Sequence, residues 1–71
     1  MKQFAVCINN DGYKASLEVG KLYAIQRDDE AAAHGYLRVI DESGEDYAYL
    51  ESHFFLIDVP MALAEALKTA A

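Results

Sequence analysis

The sequence predicts a small, mainly β, barrel-like domain of about five short strands, with a short helical turn near residues 28–34 and a C-terminal helix near 60–70. Three observations predict it. Gly35–Phe55 reads as a β-hairpin followed by a tight turn into a further strand. Turn chemistry at Asn9–Gly12, Gly20 and Asp41–Asp46 cuts the chain into runs of strand length. Pro60 then opens a tail rich in Ala and Leu, the best helix formers, and Pro is welcome at a first helical position.

Each element follows from its residues. Phe4–Ile8 is the first strand, with Phe4, Val6 and Ile8 on one face and Ala5 and Cys7 on the other. Asn9-Asn10-Asp11-Gly12 turns the chain, because these residue types tolerate positive φ. Tyr13–Leu17 is expected to run semi-extended. Lys21–Ile25 is the second strand, its two faces Tyr23 with Ile25 and Leu22 with Ala24. Asp28 or Asp29 caps the helical turn, acids suit its N-terminus, and His34-Gly35 suits its end. Tyr36–Ile40 is a third strand, and Leu37 and Val39 are its core candidates because Arg38 sits opposite. Ser43-Gly44 supplies the left-handed residue of the hairpin, and Tyr47–Leu50 returns as the fourth strand. Glu51-Ser52-His53 suits one 3₁₀ turn, and Phe54–Ile57 reads as a buried fifth strand. In the tail, Leu63, Ala66, Leu67 and Ala70 line one stripe, and Glu65 can pair with Lys68. Residues 1–59 form the β unit and 60–71 the helix, which packs on that unit or at an interface; a helix so short is unstable alone.

Composition narrows the function classes. Seventy-one residues allow one domain with a small core and little room for a deep active site. A single cysteine excludes an intramolecular disulfide framework and fits a reducing compartment. No apolar run reaches membrane-spanning length, and the start lacks the apolar core of a signal peptide, so a cytoplasmic location is expected. The net charge of −6 is uneven. Residues 1–26 set Lys2, Lys14 and Lys21 against Asp11 and Glu18, whereas residues 27–58 set Arg27 and Arg38 against nine acids. That acidic block disfavours direct nucleic-acid binding and suits a basic partner.

The strand order, with a long early loop, a hairpin and a 3₁₀ turn before the closing strand, is that of an SH3-like barrel. The wording resembles a family of small, uncharacterised bacterial SH3-like proteins. The residues that carry the resemblance are Cys7 with Asn10–Tyr13, Ser16–Glu18, Lys21, Tyr23, Gly35, Arg38-Val39, Asp41–Glu45, Tyr47, Tyr49 and Phe54. Leu50 stands where such proteins carry Pro. The resemblance implies a fold and supplies no activity.

The function read from these residues is a non-enzymatic protein-interaction module. Its expected surface combines Tyr13, Tyr47, Tyr49 and Phe54 with bordering acids Asp41, Glu45 and Glu51. Aromatics give contact area at low entropic cost, and acids select a basic partner. One alternative is a homodimer or structural subunit held by the C-terminal helix through Leu63 and Leu67. Another is a nucleic-acid-linked regulator acting through a protein partner. No metal or cofactor is called for. Glu30 and His34 lack further ligands of the right type, and Asp41–Asp46 departs from a calcium-loop spacing. Cys7 has no Lys, Arg or His close by in sequence to activate it.

Overall fold

The computed structural model describes residues 2–69. The chain runs β1 (Lys2–Cys7), β2 (Leu22–Gln26), α1 (Asp29–Ala33), β3 (Tyr36–Ile40), β4 (Asp46–Leu50), a 3₁₀ turn (Glu51–His53), β5 (Phe54–Val59) and α2 (Met61–Thr69). The strands form one antiparallel sheet in the order β4-β3-β2-β1-β5. β2 changes partner along its length, since Leu22–Ala24 pair with β1 and Ile25–Gln26 with β3. The ladder does not close into a full barrel. β4 and β5 remain its two edges, joined in sequence by the 3₁₀ turn.

The expected turns form as their residues require. Gly12 and Gly44 adopt positive φ, a conformation that costs glycine little. Asp28 caps α1 by accepting the Ala31 N–H at 3.0 Å, and its other oxygen accepts Arg38 Nε at 2.7 Å. Both contacts hold the Asp28 carboxyl below its usual range, the backbone N–H first and Arg38 second. Several expectations are corrected. β5 is an edge strand and not a buried one, so Phe55 and Leu56 are exposed. Residues 13–17 coil into a helical turn instead of extending, with the Ser16 and Leu17 N–H groups both bonded to the Tyr13 carbonyl at 2.9 Å. This turn brings Leu17 into the core, whereas Val19, two residues on, stays exposed.

Two clusters hold the sheet. The larger lies on one face of the sheet and contains Ala5, Cys7, Leu17, Tyr23, Val39, Tyr49 and Phe54, with Tyr13, Ile25 and Leu37 packed against them. Burying each large apolar side chain contributes about 1.5–3 kcal/mol. The smaller lies on the opposite face, where α2 brings Ala64 onto Phe4 and Val59, flanked by Leu22, Ala24, Ile57 and Leu67. The two faces of β2 and of β1 therefore serve different clusters. The buried stripe of α2 is rotated from the expected one: Ala64 and Leu67 point inward, while Leu63 and Ala66 are exposed. The expected pairing of Lys68 and the place of Ala70 lie outside what the structure describes. Among the described residues, no helix is long and apolar enough to cross a membrane.

Candidate interaction surface

The residues read as an aromatic surface divide between core and surface. Tyr49 is 2% exposed and Phe54 7%, so both are core residues and not part of a contact face. Register explains Tyr49. It stands opposite Leu37 on the inward side of β3, the side Leu37 shares with the buried Val39. Phe54 stands opposite Cys7, likewise on the inward side.

Tyr47 occupies the same face near the start of β4, opposite the buried Val39, and is itself 53% exposed. Its ring lies 5.1 Å from that of Tyr49, which meets Tyr13 edge-on at 4.9 Å. The exposed ring is thus seated on a buried one. Tyr36, exposed at the start of β3, was not among the expected site residues. Tyr13, Tyr36, Arg38, Tyr47 and Ala48 line a shallow groove of about 430 Å³. Arg38 and Ala48 face each other in the register, on the side of the sheet opposite Tyr47. The groove therefore draws on both faces around β4, which is an edge strand.

The acids also divide. Asp41 is bonded within the fold, where its Oδ1 accepts the Ser43 N–H at 2.9 Å and its Oδ2 accepts the Tyr49 hydroxyl at 2.7 Å. Its carboxyl is held below the usual range by the Ser43 hydroxyl first and Tyr49 second. Glu42 makes a parallel latch. It accepts Lys21 Nζ and the Tyr23 hydroxyl, and both hold its carboxyl low. Tyr23 in turn accepts the Glu18 N–H at 2.8 Å. Burial is the main cause that pushes both tyrosines up, Tyr49 to about 12. Glu45 and Glu51 are exposed at the two ends of β4, and Asp46 pairs with Arg38 at 3.1 Å.

Other groups are already engaged. A broader hollow of about 650 Å³ includes Arg27, Arg38, Asp28 and Asp29, but Arg27 pairs with Asp29 and Arg38 with Asp28. Lys21, the third cation so held, pairs with Glu42. Cys7 is fully buried and its Sγ–H points to the Asn9 carbonyl; burial pushes the thiol up and keeps it protonated. The His53 ring stands 6.3 Å from that of Tyr13, with its Nδ1 buried and without a hydrogen bond. Among the described residues, no group of three or more His, Cys, Asp or Glu side chains is placed to hold a metal ion. Leu67 packs in cis, so of the two leucines read as a helix interface only Leu63 faces outward. Compared with known proteins, the chain matches no family model, no curated protein and no solved structure.

Proposed function

We propose that this chain is a non-enzymatic protein-interaction module that takes an extended, basic segment of a partner along the free edge of β4. The single observation that carries the reading is the half-exposed Tyr47 ring, fixed at 5.1 Å from the buried Tyr49 on an edge strand. An edge strand offers unpaired backbone groups to an incoming strand, and neighbouring grooves then select side chains. A ring already held in place loses little freedom on binding. Tyr13 and Tyr36 extend the contact, and Glu45 and Glu51 favour Lys or Arg in the partner. Tyr49, Phe54 and Asp41 support this surface from beneath. The strand order and the 3₁₀ turn before β5 agree with the resemblance to small bacterial SH3-like proteins, and a cytoplasmic role fits the single buried thiol.

The test is a screen of extended peptides of varied charge, followed by binding measurements on the best of them. Tyr47→Ala is expected to retain the fold and to weaken binding by roughly 30-fold, the loss typical of an aromatic anchor. Binding is also expected to weaken with added salt. A bound peptide that perturbs amides away from β4, or that binds Tyr47→Ala as tightly as the parent, overturns the proposal.

A further inference from the structure

The sheet has a second edge, β5, which lacks the acids Glu45 and Glu51 that flank β4 at both ends. β5 reads Phe-Phe-Leu-Ile-Asp-Val, with one charge, no Lys and no Pro. It pairs with β1 residue for residue, from Lys2–Val59 to Cys7–Phe54, so no bulge turns it away. Charges, prolines and bulges are the devices that keep exposed edges from pairing. Apart from Asp58, β5 has none of them. Among the described residues, the only backbone hydrogen bonds of β5 beyond its own turn are those to β1.

The face beside this edge is apolar too. Phe55 is 65% exposed and stands opposite Val6, on the side of the sheet that carries Phe4 and Ile57. The α2 helix covers Phe4 and packs against Ile57, but it leaves Phe55 open, together with Ile8, 54% exposed just past the end of β1. Charge indicates what fits there. A chain of net charge −6 repels its own copy over most of its surface. The β1 and β5 strands together carry only Lys2 and Asp58, which are of opposite sign. A basic partner is drawn to the acidic β4 side, whereas two copies meet at β5 with the least repulsion.

We propose that β5 is the edge through which two copies of this chain associate, strand to strand and antiparallel, about a two-fold axis near Leu56. Such an interface is self-complementary, as a two-fold contact must be. With Leu56 on the axis, Phe55 of one copy lies opposite Ile57 of the other on the same face, an aromatic and β-branched pair that favours antiparallel strands. Both β4 edges stay at the far ends of the joined sheet. A dimer of this kind would present two peptide sites pointing outward, and a partner with two basic segments would gain avidity from it. The dimer itself does not depend on the peptide-binding reading.

The experiment is light scattering on the full chain over a concentration series from micromolar upward, with amide hydrogen exchange on the same samples. The expected result is a mass of two chains, with slowed exchange in β5 that grows with concentration. Phe55→Lys is expected to weaken the dimer at least tenfold while the circular dichroism stays unchanged, and Ile8→Lys to weaken it less. A single-chain mass across the series overturns the proposal. So does a dimer that survives Phe55→Lys, or one lost in Leu63→Lys and retained in Phe55→Lys, which would place the interface on α2.

Discussion

The hydroxyl of Tyr49 donates to Asp41 Oδ2 at 2.7 Å, tying the tip of the β3–β4 hairpin to the middle of the core. The next residue repeats the arrangement, since Glu42 Oε2 accepts the Tyr23 hydroxyl at 2.6 Å. Two adjacent acids thus latch two buried rings from two different strands. The hairpin tip is fastened to β2, and the loop before β2 is fastened to it through the Glu42 N–H bond to the Ser16 carbonyl at 3.1 Å. The hairpin tip, β2 and the 13–17 turn are thereby held together around the core.

The latch separates what the Tyr49 ring does from what its hydroxyl does. Tyr49→Phe keeps the ring and leaves a half-exposed carboxylate that water and Ser43 still satisfy, so the expected cost is about 1 kcal/mol. Tyr49→Ala and Phe54→Ala remove buried rings and are expected to cost roughly 3–5 kcal/mol each. A domain of this size holds only about 5–10 kcal/mol in total, so either Ala variant removes a large share of its stability. Urea unfolding followed by tyrosine fluorescence and circular dichroism checks the order. An equal cost for Tyr49→Phe and Tyr49→Ala would show the hydroxyl, not the ring, to be the main contribution.

The same four residues set a pH dependence with two limbs. The Asp41 and Glu42 carboxyls lie below their ordinary range in the folded protein, so below about pH 5 the unfolded chain binds more protons and stability rises with pH. Their contribution is complete above the unfolded carboxylate range and is lost as pH falls through the lowered folded values. The tyrosines behave in the opposite sense. Tyr49 is pushed up to about 12, so its contribution is complete below the ordinary tyrosine value and is lost as pH climbs toward that number. Urea midpoints measured across pH are expected to fall at both ends. Tyr49→Phe should flatten the alkaline limb, and Asp41→Asn the acid limb; two unchanged limbs would show that the latch does not form in solution.

Much of this fold was legible because its signals are local. Asp28 as a cap, Gly44 in the hairpin, Pro60 before α2 and the alternation in β2 each depend on neighbouring residues. The interaction surface was less legible, because its outcome depends on distant pairings. Periodicity cannot separate Tyr47 from Tyr49, which share a face; Tyr49 is buried among the rings of Tyr13 and Phe54, which come from distant parts of the chain, and Tyr47 is left exposed. Glu42 reads as a solvated tip residue until Tyr23, 19 residues away, is brought against it. Tyr36 shares the Arg38 side of β3, and the groove around β4 appears only when both faces of that edge are seen together.

The C-terminal helix provides the last test, through two leucines four residues apart. Leu67 packs against the cluster of Phe4, Val59 and Ala64, whereas Leu63 lies exposed on the flank of α2. Leu67→Ala is therefore expected to lower stability by about 1–2 kcal/mol, less than the roughly 2–5 kcal/mol of truncating a fully buried leucine, because the site is only partly enclosed. Leu63→Ala should stay within about 0.5 kcal/mol of the parent, as exposed substitutions do. Neither change is expected to alter the mass in solution, because α2 packs on its own sheet and the proposed dimer edge is β5. Urea unfolding with light scattering on the same samples decides it. A stability loss from Leu63→Ala that depends on protein concentration would mean that α2 also reaches across to a second copy. The order Leu67 over Leu63, independent of concentration, is what packing in cis requires.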